Sequence, residues 1–172
     1  MEKTSAKTRT VRLVITALFL AMNVALSSFG VPVPGGHLYL NDVVICLAAI
    51  MLNPFEAFMV GGVGAFLGDF FFYPAPMFVS LVTHGIQAVV ISLCSHKLFK
   101  KKPLLGAIVG VTIGALIMVA GYTFGRAFIY STKEYALLKL PFQFLQAGVG
   151  AVLGTFLCFG TGIKKQFDKS VR

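Results

Sequence analysis

Long apolar runs alternate with short polar or Pro/Gly-rich breaks along this chain, and the alternation predicts helices that cross a membrane. A run of about 20 apolar residues is long enough to span a bilayer core, and the first helix is predicted over about 10–28. The segment GVPVPGGHLY, 30–39, cannot continue a helix and ends it. A second helix, over about 39–52, is short for a full crossing. Asn53-Pro54-Phe55-Glu56 then carries the signals of a helix start, with Asn53 as N-cap, Pro54 at the first position and Glu56 at the third. It opens a third helix over about 54–72, in which GGVGAFLG holds four small glycines that let a neighbouring helix approach closely. FFYPAP closes that helix. A fourth follows over about 75–96 and ends in KLFKKKP, then a fifth over about 104–127 and a sixth over about 136–162, joined by the polar IYSTKEY.

Six alternating passes bring the polar positions of the apolar runs to one end of the bundle. Asn41 and Asp42 start the second helix there, and Asp69 lies near that end of the third. His84 and Gln87, at i and i+3, share a face of the fourth, joined by Ser80 one turn earlier. Tyr122 and Arg126 are i and i+4 at the end of the fifth, and Gln143 and Gln146 are i and i+3 in the sixth. Polar groups at membrane depth are costly and mark functional sites. Their convergence, with Tyr39, Phe72, Tyr73, Phe78 and Tyr130 nearby, describes a pocket for a small molecule. Each also has a purely structural reading: Asp69 as ion-pair partner of Arg126, Asp42 as a helix cap, His84 and the glutamines as helix-to-helix hydrogen bonders, Lys133 and Glu134 as solvated loop charges. In the first helix Ala17, Ala21 and Ala25 recur four apart, a smooth strip suited to close docking, inside the bundle or against a partner.

Composition supports the membrane reading: 57% of residues are hydrophobic and 12% charged, against about 25% charged in soluble domains. Charge then orients the passes. Of fifteen Lys and Arg, twelve fall in three clusters, Lys3/Lys7/Arg9/Arg12, Lys97/Lys100/Lys101/Lys102 and Lys164/Lys165/Lys169/Arg172. Cytoplasmic loops collect such residues, so both termini and the 97–103 connection are expected inside, and the polar ends of the helices outside. The chain is thus read as one all-α membrane domain, 1–172, a compact six-helix bundle with short cytoplasmic basic tails at about 1–9 and 164–172. Lys133 and Lys139 read as loop and interface charges, while Arg126 can join the pocket. The net charge of +9 flanks apolar spans and suits anionic lipid, not nucleic acid. The first apolar run is too long for a signal-peptide core and reads as a retained helix. Cys46, Cys94 and Cys158 lie apart in apolar segments without ligand spacing, so no metal site is expected.

The alanine ladder, the long first external loop and the outer polar pocket resemble the S component of energy-coupling factor (ECF) vitamin transporters. The stretch VPVPGGHLYLNDVVICLAAIMLNPFEAFMVGGVGAFLGDFF is the most specific part, similar to S components of the riboflavin, pyridoxine and hydroxymethylpyrimidine group. The resemblance covers nearly the whole chain. It implies a prokaryotic plasma-membrane subunit that binds a vitamin or vitamin precursor from outside, with no covalently bound cofactor. Its external loops would close over the ligand. It would then dock through Ala17, Ala21 and Ala25 onto a membrane coupling subunit that carries two ATPase subunits. On this reading the binding residues are His84, Gln87, Asn41, Asp69, Tyr122, Arg126, Gln143 and Gln146, with lid contacts from His37 and Tyr39. Neutral donors and acceptors with aromatics suit a planar heteroaromatic ring, so pyridoxine or hydroxymethylpyrimidine is favoured and the bulkier riboflavin remains open.

Two other classes compete. A stand-alone secondary transporter would be favoured by inverted repeats, and none is visible. An intramembrane enzyme would need a nucleophile–base or metal constellation, for which only His84 and Asp69 are candidates. No Walker A motif occurs, so ATP hydrolysis by that route falls to a partner.

Overall fold

The computed structural model of the chain describes residues 6–99 and 101–171; Lys3, Lys100 and Arg172 of the basic clusters lie outside them. The elements in order are α1 (Ala6–Ser27), β1 (Val31–Val33), β2 (Gly36–Leu38), α2 (Asn41–Met51), α3 (Pro54–Phe72), α4 (Met77–Leu98), α5 (Pro103–Tyr130), α6 (Lys133–Gly160) and α7 (Ile163–Ser170).

Among the described residues five helices, α1, α3, α4, α5 and α6, are long and apolar enough to cross a membrane. The expected sixth span is a different object. At 11 residues α2 rises only about 16 Å, and Val44 to Leu52 are buried without a break. Its side chains form the core with Phe19 of α1, Val60 of α3, Ala88 and Ile91 of α4, Ala107 and Val111 of α5 and Cys158 of α6. A helix that is apolar all round belongs in the middle of the other five. Around it the outward faces carry exposed large apolar residues such as Leu18, Phe71, Leu116, Phe144 and Phe156, the surface a lipid environment requires. Cys46, Cys94 and Cys158 are buried and unpaired.

The start of α3 matches the expected cap. Asn53 Oδ1 accepts from the Glu56 amide at 2.9 Å, and Glu56 Oε2 accepts from the Asn53 amide at 3.2 Å. Glu56 does more than cap: Arg12 of α1 donates to both its oxygens, Nε at 2.9 Å and Nη2 at 2.6 Å. This clasp sets the start of α3 beside the first turns of α1, while Ser27 and Asn41 meet at the other end. The chain therefore traverses the bundle through α2 despite its shortness.

Gly61 and Gly62 of α3 set its distance from α4, while Gly64 and Gly68 face Asn23 and Ser27 of α1. A widened π-helical turn, Met59–Val63, contains Gly61 and Gly62, and the Val60 carbonyl there accepts from Asn23 Nδ2 of α1 at 2.6 Å. A Cβ at Gly61 would come within 2.7 Å of Ala88 Cβ and 2.8 Å of the His84 carbonyl oxygen. Backbone cannot yield as a flexible side chain does, so Gly61→Leu is expected to cost about 1–3 kcal/mol of stability. Thermal unfolding of the purified protein measures this, and an unchanged midpoint would refute such close packing of α3 and α4.

Two segments differ from the sequence expectation. The predicted irregular first loop is a small antiparallel hairpin in which Val31 pairs with Leu38 and Val33 with Gly36. Its turn needs Gly35 at φ 80° and Gly36 at φ 144°, conformations that side chains resist. The predicted basic tail after α6 is also ordered. Gly162 at φ 77° ends α6, and α7 turns back so that Phe167 is buried with Phe19 and Met51, leaving Lys165 and Lys169 exposed. It is an amphipathic helix of the kind that lies along a membrane surface.

Candidate ligand-binding site

The hairpin and the α3–α4 and α5–α6 connections meet at one end of the bundle and enclose a cavity of about 300 Å³. Nine of the ten residues expected in the pocket line it. His37 and Tyr39 come from the hairpin and its exit, Asn41 from α2, Asp69 from α3 and His84 from α4; Tyr122 and Arg126 belong to α5, Gln143 and Gln146 to α6. Gln87, the tenth, lies buried behind His84 and does not reach the cavity.

The residue that organises this end is Asp42, expected among the polar groups gathered there, with a helix cap as its structural alternative, and not counted among the binding residues. Asp42 is 1% exposed. Its Oδ2 accepts from Gln146 Nε2 at 2.7 Å and its Oδ1 from Gln87 Nε2 at 3.2 Å. Because the Gln87 amide nitrogen is spent on Asp42, its Oε1 faces His84 Nδ1, 2.6 Å away. That places an imidazole proton on Nδ1, which donates to Gln87 Oε1. His84 Nδ1 is also 3.8 Å from Asp42 Oδ1. Gln146 reaches the lid as well, its Oε1 accepting from the Tyr39 amide at 3.1 Å. One carboxylate on α2 thus fixes side chains of α4 and α6 and, through Gln146, the exit of the hairpin. Gln143 contacts Met118 Sδ through its amide nitrogen at 3.5 Å.

A second chain of hydrogen bonds ends at Asp69. Ser80 Oγ donates to Asp69 Oδ2. Its single proton is then committed, so the Tyr122 hydroxyl, 2.5 Å away, donates to Ser80 Oγ. The Tyr122 ring stands edge-on to His84 with centroids 5.2 Å apart. An ion pair between Asp69 and Arg126 is absent among the described residues. Arg126 instead lies in the π-helical turn Arg126–Tyr130 that ends α5, its guanidinium carbon 5.6 Å from the centroid of the Tyr130 ring. Burial, reinforced by the charge of Asp69, pushes the Tyr39 phenol above its ordinary range, which keeps it a neutral hydrogen-bonding group.

Lys139 overturns the reading as an interface charge. It is 2% exposed, lines the cavity and donates from Nζ to the His37 carbonyl. Its spacing carried the signal: Lys139, Gln143, Gln146, Gly150 and Gly154 are spaced 4, 3, 4 and 4 apart and form the buried stripe of α6. Tyr73, Tyr130 and Tyr135 complete the wall. Two buried atoms on lining residues, Asn41 Oδ1 and the Tyr130 hydroxyl, have no hydrogen-bond partner. Such orphaned groups are rare in finished interiors, and here both are available to a ligand.

Ala17, Ala21 and Ala25 lie far from this chemistry in a different sense: all three are exposed on α1. The face that α1 buries is that of Thr16, Phe19, Asn23 and Ser27. Packing of the ladder inside the bundle is therefore ruled out.

Comparison with known proteins agrees with this architecture. Residues 7–165 match the family described as the ECF-type riboflavin transporter, S component. The thiamine precursor transporter HmpT of Lactococcus lactis subsp. cremoris (strain MG1363) is 30% identical over 167 residues, which are 92% of this chain and 94% of that protein. A protein of Pyrococcus woesei described as uncharacterized, in a gap 3′ region, is 29% identical over 126 residues, 72% of this chain and 82% of its own length. With a match over nearly its full length, the chain belongs to the ECF-type riboflavin transporter S component family: it is a multi-pass membrane protein of vitamin transport, not an enzyme.

Proposed function

We propose that this chain is the substrate-binding subunit of an ATP-driven importer and that its cavity captures a water-soluble vitamin or vitamin precursor from outside the cell. The carrying observation is the cavity itself, where polar side chains from six helices, including Asn41 and Tyr130 with orphaned buried atoms, meet aromatic rings under a small hairpin. All six passes cross the membrane, α2 as a short central one, with both termini in the cytoplasm. The basic clusters support this orientation, since Lys7, Arg9, Lys97, Lys101, Lys102 and Lys164 belong to the end remote from the cavity. The hairpin acts as lid: Gln146 and Lys139 hold it through the Tyr39 amide and the His37 carbonyl, and release of those two bonds opens it.

Pyridoxine or hydroxymethylpyrimidine is favoured over riboflavin. A volume of about 300 Å³ is at the lower end of the ~300–1000 Å³ range of ligand pockets and suits one ring better than a tricyclic flavin. The name of the Lactococcus relative, a thiamine precursor transporter, supports a single-ring precursor. In the bound state His84 Nε2 bonds a ring substituent and Asn41 Oδ1 accepts from another, while Asp69, through Ser80, fixes the Tyr122 hydroxyl. Delivery requires a membrane coupling subunit and two ATPase subunits, met through the exposed Ala17/Ala21/Ala25 face.

Isothermal calorimetry on purified protein with these three compounds tests the reading. His84→Ala and Asp69→Asn are each expected to weaken the best binder by at least about tenfold, the size of one lost hydrogen bond to a buried group. Equal affinity in both variants and the native chain would sink the site assignment.

A further inference from the structure

Two positive charges at the cavity have no counterion. Arg126 and Lys139 both line it, from the last turn of α5 and the second turn of α6. Among the described residues neither forms an ion pair. The nearby carboxylates have other donors: Asp42 is satisfied by Gln87 and Gln146, and Asp69 by Ser80. Lys139 has one neutral acceptor, the His37 carbonyl, and Arg126 has the face of Tyr130. An almost fully buried ammonium is rarely left without an opposite charge.

The two cations share a place in the fold. A Cβ at Gly35 would come within 2.9 Å of Lys139 Cβ, and one at Gly36 within 3.9 Å of Arg126 Nη2. Both side chains thus lie directly under the turn of the hairpin. The Tyr130 ring lies against Arg126, and its hydroxyl adds a neutral donor to the same wall. A guanidinium offers a planar fork to two oxygens of one acidic group, and an ammonium adds a point charge with donors to spare.

We infer that Arg126, Lys139 and Tyr130 form an anion subsite beneath the hairpin turn, and that the ligand carries an acidic group, a carboxylate or a phosphate monoester, on its ring. This rests on the reading of the cavity as a capture site for a single-ring vitamin or precursor. Neutral pyridoxine or hydroxymethylpyrimidine would fill the aromatic part and leave two charges unmatched under a closed lid. An acidic relative neutralises them and draws α5, α6 and the hairpin together, which couples occupancy to closure.

The test compares matched pairs by calorimetry on the purified full-length chain: hydroxymethylpyrimidine against its monophosphate, and nicotinamide against nicotinate. The acidic member of at least one pair is expected to bind at least about tenfold tighter, and the pair that responds distinguishes phosphate from carboxylate. Lys139→Met and Arg126→Gln should each shrink that ratio to under about threefold, while Lys139→Arg, which keeps the charge, should preserve it. A ratio that survives in both neutralising variants overturns the subsite. Tight binding of the neutral members alone also overturns it but leaves the single-ring reading intact. Failure of all four compounds to bind overturns that reading and the subsite with it.

Discussion

Asp42→Ala is expected to weaken ligand binding by at least about a hundredfold, more than any change to a residue that merely touches the ligand. The carboxylate is the common acceptor for Gln87 and Gln146. Its removal leaves two buried amide donors unmatched, at about 1–3 kcal/mol each. Since every 1.4 kcal/mol is tenfold in affinity, about 2.8 kcal/mol of that loss borne by the bound state reaches two orders of magnitude. The geometry of the loss matters as much as its size. Without Asp42 the Gln87 amide is free to rotate, and the acceptor that fixes the Nδ1 side of the His84 ring is no longer held in place. Gln146 loses the anchor from which it holds the Tyr39 amide. Asp42→Asn, which keeps the shape but replaces one acceptor oxygen with a donor, should fall between alanine and the native residue. Dissociation constants and melting temperatures of both variants separate lost positioning from lost folding. A native-like constant in Asp42→Ala would remove Asp42 from any account of binding.

What the sequence made legible follows from the range of each interaction. The breaks between helices, the Asn53–Glu56 capping box and the shared faces of His84/Gln87 and Gln143/Gln146 are set within one or two turns, and they were readable, whereas exact helix ends, such as the start of α1 at Ala6, were not. The polar end of the bundle was also readable, because alternating passes bring Asn41, Asp69, His84 and Arg126 to one level without knowledge of packing. Asp42 was placed at the polar end, but its role as shared acceptor was not legible, because a carboxylate in a first turn has a sufficient local explanation as a cap and its partner Gln146 is 104 positions away. Lys139 escaped for a related reason: counting charges by loop assigned it to a connection, although its spacing to Gln143 and Gln146 put it on the buried face. The shortness of α2 was visible, but its central position was not, since burial on all sides depends on five other helices. The Arg12–Glu56 clasp is likewise a long-range pair, between groups that each had a local role as a basic flank and a cap.

Ala21→Trp is expected to abolish ATP-driven uptake while leaving ligand affinity within about twofold of native. The argument rests on direction. The side of α1 facing the bundle carries Thr16, Phe19, Asn23 and Ser27, which are buried, and Asn23 reaches the Val60 carbonyl of α3. Ala17, Ala21 and Ala25 are exposed, with exposed Leu13, Leu18 and Met22 among them. An indole at 21 therefore projects away from the bundle and from the cavity. Folding and capture have no reason to change. A partner helix does have one: three alanines cover about 12 Å of a smooth strip along which two backbones come close, and one large side chain in the middle holds them apart. Loss of close packing worth only about 1.4 kcal/mol would already lower the population of the assembled complex tenfold. Uptake is measured in vesicles that hold the coupling subunit and both ATPases, and binding on the isolated variant. If uptake persists with a tryptophan at this position, the coupling subunit meets another surface. If uptake and binding fall together, the exposed face of α1 is tied to capture through the bundle itself, and a separate docking role is refuted.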